Sequence, residues 1–276
     1  MKKVVITILL IVSLYFTAIF SLYGERYEPI VGKSGSIINK GTARFSFNYG
    51  YSENKSDNAF TTFSIFNFGI DYGINNKMEI QNNIGYGAYN NKEGFKWSNW
   101  KELLKIKLSE KIDGPATSLG VGILIPVRKE ESLGLVGGFY YSGGIKEITF
   151  DFNLGIIPYL TYGTFGDMEV RPSPYINGDI VLGYKLMPFL KLTGGIDMKQ
   201  YLRGGTTKIK INDTEIKRDI DPTSGWILFV GSRVKPKGYP LLADASISIG
   251  LNHDAEFDWR FQIGVQVLPS NMNAEW

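Results

Sequence analysis

Over residues 42–268, apolar side chains alternate with polar or small ones in runs of about ten residues. The last run is the clearest. Phe257, Trp259, Phe261, Ile263, Val265 and Val267 alternate with Asp258, Arg260, Gln262, Gly264 and Gln266. A period of two places successive side chains on opposite faces of an extended strand. The pattern predicts twelve strands, at about 42–51, 60–74, 78–89, 100–108, 117–127, 133–141, 148–162, 174–186, 190–202, 226–235, 241–252 and 257–268. A slip of phase near Ile65 and Phe66 predicts a bulge there.

The connections sort into two kinds. Tight turns are expected at Asn75-Asn76, Asp113-Gly114, Gly143-Gly144, Met187-Pro188 and Lys237-Gly238. Longer links are expected at 52–59, 90–99, 163–173 and 203–225. Within the longest, Lys208–Ile211 and Thr214–Lys217 flank Asn212-Asp213, which predicts a hairpin on strands that continue beyond the wall. Short turns on one side and long loops on the other, with an oily face on every strand, predict an all-β fold. It is a transmembrane antiparallel up-and-down barrel of about twelve strands. Trp97, Trp100, Trp226, Trp259, Tyr89 and Tyr162 fall near the long-loop ends and predict an outer aromatic girdle.

The N-terminus supports this. Met1-Lys2-Lys3 precedes a mostly apolar run from Val4 to Phe20, the pattern of a secretion signal. The organisation expected is a signal peptide over 1–24, a periplasmic segment over 25–41, an outer-membrane barrel over 42–268 and a tail over 269–276. Outer-membrane lipid is then the first partner. A monomer or weak homo-oligomer is expected.

Composition narrows the function. The chain has 276 residues, 43% of them hydrophobic, and no cysteine. Its mean hydropathy is −0.07, low because a barrel's lumen side dilutes its oily face. The missing cysteine excludes disulfides, a lipid-anchored cysteine and thiolate metal sites. A net charge of +3 without a basic block gives no support to nucleic-acid binding.

Strand phase assigns the charged residues of the wet face. Arg44, Lys101, Lys105, Lys107, Lys185, Lys191, Lys199, Arg233 and Arg260 would point into the lumen. So would Asp71, Glu79, Asp151, Asp179, Asp197, Asp244 and Asp258. The signs nearly balance, which suits cross-strand pairing in a confined space better than a strongly ion-selective pore. Asp151 is expected opposite Lys185, and Lys107 near Glu79 and Asp71. Lys101, Lys105 and Lys107, beside Ser118, Gly120 and Gly122, form the densest single-sign stretch. They border either a solute path or a salt-bridged wall.

Catalytic chemistry finds little footing. The one histidine, His253, lies in a short loop, and Ser246 and Ser248 lack a nucleophile-elbow context. Asp219 and Asp221 fall far short of a calcium ligand set. No enzyme activity, cofactor or metal is expected.

Three stretches carry a family likeness. They are Lys40-Gly41-Thr42 opening the first strand, the hairpin from Phe68 through Asn75-Asn76 to Ile80, and Gly120–Pro126. The chain resembles the transporter-like outer-membrane barrel family associated with the meta-pathway of phenol degradation, over about residues 40–268. Val127-Arg128 stands where that family often has Thr-Gly. The resemblance implies a channel for small, apolar or aromatic, solutes and supplies no site residues. The alternative is a structural or adhesion barrel acting through its extracellular loops.

Overall fold

The computed structural model describes residues 40–267, except 57–58, 90–93, 111–114, 166–167, 212–213, 237–238, 253–254 and 256. The expected signal peptide, the tail from 269 and His253 lie outside the described residues, as does the N-terminal segment up to 39.

Twelve strands close into one antiparallel barrel. The first seven are β1 (Ala43–Ser56), β2 (Ala59–Asn75), β3 (Met78–Tyr89), β4 (Lys96–Glu110), β5 (Ala116–Ile125), β6 (Gly134–Ile145) and β7 (Ile148–Ile157). The wall continues through β10 (Tyr175–Met187), β11 (Leu190–Tyr201), β14 (Ser224–Val234), β15 (Leu241–Gly250) and β16 (Trp259–Val267). β16 returns to β1, with Phe45 opposite Val267 and Glu53 opposite Trp259. Closure removes the unpaired strand edges that an open sheet would expose.

The alternation does the sorting expected of it. Outward residues such as Val121 and Leu182 are 65% and 55% exposed. Their inward neighbours Gly120 and Val181 are buried. Trp97, Trp100 and Trp226 stand exposed on the outside near the long-loop ends, and Trp259 donates from Nε1 to Glu53 at 3.0 Å.

Several local expectations are corrected. No register shift occurs at Ile65 or Phe66; β2 is regular there on both sides. The irregularities fall instead at Gly73/Asn75, Ile84/Tyr86, Lys107/Ser109 and Lys185/Met187. The β6–β7 turn is not at Gly143-Gly144 but at Lys146-Glu147, where Lys146 takes a φ of 55°. β1 and β2 run on to Ser56 and from Ala59, so the loop expected over 52–59 is mostly strand. The final alternation starts at Trp259: Phe257 is turned in and buried, while Asp258 is exposed.

The long loops hold a second sheet. β8 (Gly163–Phe165) and β9 (Met168–Arg171) come from the link after β7, and β12 (Thr206–Ile211) and β13 (Thr214–Asp219) from the link after β11. They pair in the order β13-β12-β9-β8. The hairpin read at 208–217 is present, but it belongs to this separate sheet and does not extend β11 and β14. Tyr162 belongs with it too, and not with a girdle. The Thr206 hydroxyl donates to the Tyr162 oxygen at 2.9 Å, and Lys208 and Arg171 lie over its ring at 4.5 and 5.5 Å.

Candidate functional site in the barrel lumen

The inward face carries a linked charge cluster from four consecutive strands. Arg44 on β1 donates through Nε to Asp71 on β2 at 2.8 Å, and its Nη2 reaches the same oxygen. Lys105 on β4 sits 3.4 Å from Glu79 on β3, with side chains 2% and 1% exposed. Gln81 donates to the same Glu79 oxygen at 2.7 Å. The register explains the partners, since Arg44 is opposite Asp71 and Glu79 opposite Lys105. Lys107, expected beside Glu79, is instead opposite Ser118, one inward step away. Lys101 is opposite Asn83.

A second cluster lies across the barrel. Arg233 on β14 grips Asp244 on β15 with bonds of 2.7 and 3.3 Å. Lys191 on β11 is opposite Arg233 on one side and Lys185 on the other. Lys185, Lys191 and Arg233 thus form a cationic row across three strands. No linear signal marks it, because the three residues come from separate strands. A Cβ at Gly183 would sit 2.9 Å from Lys191 Nζ, so the glycine leaves room for that side chain to cross toward β7. Asp151 on β7 is not opposite Lys185; it is opposite Val181. It accepts from the Ser142 hydroxyl at 2.6 Å and lies in the field of Lys191, Arg233 and Lys105.

Between the clusters the lumen is aromatic. Leu103, Leu124, Val136, Tyr140, Ile157, Tyr159 and Tyr175 form one buried apolar cluster, with Tyr201 packed against it. Tyr175 stands 6.3 Å from Tyr159 and 5.6 Å from Tyr201, centre to centre. Lys199 Nζ lies between two of these rings, 4.3 Å from Tyr175 and 4.6 Å from Tyr201. Lys105 Nζ is 5.3 Å from the Tyr140 ring. A cation over an aromatic face is attracted by the ring quadrupole. Nothing in the linear pattern marks these tyrosines out, because they come from separate strands and links.

The remaining candidates are dispersed. Asp179 accepts from Asn153 at 2.7 Å and is opposite Asp197. Arg260 rests on the Phe257 ring at 4.3 Å, which takes the inward place expected for Asp258. Around it β1, β15 and β16 supply uncharged polar groups, among them Asn48, Ser248 and Gln262, all buried. Among the described residues no cluster of His, Cys, Asp and Glu could hold a metal. The lumen therefore offers fixed charges of both signs, among them the ion pairs Arg44–Asp71, Lys105–Glu79 and Arg233–Asp244, and a tyrosine-lined stretch.

No family model matches the chain, and no curated protein matches it. Solved structures do. An outer membrane channel from Pseudomonas putida F1 aligns with a TM-score of 0.63 at 10% identity, over 88% of this chain and 99% of that one. The NanC porin aligns with a TM-score of 0.51 at 7% identity, over 82% of this chain and 100% of the porin. At such identities the likeness concerns architecture, and it agrees with the closed wall and inverted faces described above. The chain has the fold of an outer-membrane β-barrel, with twelve antiparallel strands.

Proposed function

We propose that this barrel sits in the outer membrane and passively passes small solutes, apolar or aromatic ones among them, as the phenol-degradation family it resembles implies. The observation that carries the reading is the tyrosine cluster around Lys199, packed with inward Leu103, Leu124, Val136 and Ile157 in a lumen that elsewhere carries charged and polar groups. A pore that only conducted ions would have no need of clustered rings, whereas planar solutes gain contact from them. The cationic row of Lys185, Lys191 and Arg233 adds a preference for solutes bearing negative charge. Twelve strands enclose more space than the eight that side chains just fill. Much of that space is taken by the side chains above, which suits small cargo. The two structural relatives, a channel and a porin, support this reading.

The test is flux into liposomes carrying the purified barrel, comparing phenol with a sugar of similar size. Phenol should enter faster, and Tyr175→Ala should reduce the difference. Absence of both flux and planar-bilayer conductance would overturn the channel reading. A scaffold or adhesion role is the second reading, favoured by the four-stranded sheet built from the long loops.

A further inference from the structure

On the outer face of β3 and β4, two polar side chains interrupt an apolar row. One row of outward residues, followed from strand to strand by register, reads Val267, Phe45, Ile70, Asn82, Glu102, Ile123 and Leu135. Two polar side chains stand side by side in a row that is otherwise apolar. Along their own strands Asn82 lies between outward Ile80 and Ile84, and Glu102 between Leu104 and Trp100. Another outward carboxylate, Glu53, lies toward the long-loop end of β1, where the Tyr51 hydroxyl and Trp259 Nε1 donate to it; Glu102 lies deeper in the wall, opposite Asn82. Asn82 lies four residues into β3 from the tight turn, about 13 Å of strand at ~3.3 Å per residue. With strands tilted by roughly 35–45°, that places it inside an apolar band ~25 Å tall.

We infer that this face joins two copies of the chain side by side, Asn82 of each donating its amide N–H to Glu102 of the other. The geometry is self-complementary. Neighbouring strands are ~4.8 Å apart, so the donor and the acceptor stand beside one another on one wall. A two-fold axis along the membrane normal, passing between them, sets each Asn82 before the other copy's Glu102, which is the isologous contact such an axis requires. A second copy of the chain is the occupant that supplies both a donor for Glu102 and an acceptor for Asn82 at one depth. Apolar surface alone would not drive the contact, because lipid tails are as apolar as Ile70 and Ile123; hydrogen bonds between polar groups do. The inference needs the barrel to lie in a bilayer but not to conduct, so it stands or falls apart from the channel reading.

The chain is free of cysteine, which makes the test direct. Leu104→Cys places a thiol one outward step from Glu102, near the proposed axis. Leu228→Cys places one on the opposite wall, on β14. The full-length barrel is reconstituted in vesicles and oxidised with copper phenanthroline, its folding confirmed by its mobility in unheated detergent gels. Leu104→Cys should give a disulfide dimer and Leu228→Cys should not. Adding Asn82→Leu and Glu102→Leu should cut the dimer about tenfold, the effect of ~1.4 kcal/mol. The exchange Asn82→Glu with Glu102→Asn should restore it, while Asn82→Glu alone should not. No dimer with Leu104→Cys, or a dimer indifferent to the leucine pair, would overturn the inference.

Discussion

Lys105 and Glu79 face each other across β4 and β3, 3.4 Å apart and all but sealed from water. Each leaves a buried, uncompensated charge if the other is removed. Lys105→Met is therefore expected to cost about 3–5 kcal/mol. Lys107→Met, one inward step away and half-buried, should cost well under half of that. Urea unfolding in vesicles measures both. Equal costs would show that the lumen does not single out Lys105.

The two faces of the wall should respond oppositely to charge. Leu182 is 55% exposed on the outside of β10, and Leu182→Arg is expected to cost roughly 2–4 kcal/mol near the bilayer midplane. Lys185→Gln, on the inward face of the same strand, should cost less than half as much in the same measurement. A reversed order would mean that the exposed face does not meet lipid.

Loop sidedness follows from the two kinds of connection. Cysteines at Lys129 and Asp221, in the long links, are expected to react with an impermeant maleimide on intact cells. Cysteines at Asn76 and Lys146, in the tight turns, should react only after the membrane is opened. Labelling in the opposite sense would invert the barrel.

Tyr162 gives the second sheet a titration signature. The Thr206 hydroxyl that donates to its oxygen, and then Lys208, Arg171 and Lys217, hold its pKa below the ordinary tyrosine value. A depressed folded-state pKa favours the tyrosinate, so the stability it contributes is present above the unfolded-state pKa and is lost as pH falls through the folded-state value. Difference absorbance between the protein and Tyr162→Phe should show this tyrosine ionising early. Lys208→Gln should move it upward, and an unchanged midpoint would separate Lys208 from the ring.

Alternation along each strand is enough to assign the two faces. Period two sent Arg44, Asp71, Glu79, Lys105, Lys191 and Arg233 inward and Ile70, Val121 and Leu182 outward, because successive side chains must leave a strand on opposite sides. It also fixed the strand number, since turn residues punctuate each run. Which residues meet across strands depends on how the strands register in the closed barrel. Glu79 was expected near Lys107 and pairs with Lys105, two residues off; Asp151 was expected opposite Lys185 and lies opposite Val181, four residues off. Both errors are even, and the reason is physical. A slip of one residue would turn every side chain to the wrong face, while a slip of two leaves each face intact and invisible to the hydrophobic pattern. β7 pairs with β10 without any bulge, so what selects among even registers is the length of the links between strands and the closure of β16 on β1. The tyrosines around Lys199, the cationic row of three strands and the pairing of β9 with β12 are all products of that registration. Each joins residues that the chain keeps far apart, so alternation within single strands could not bring them together.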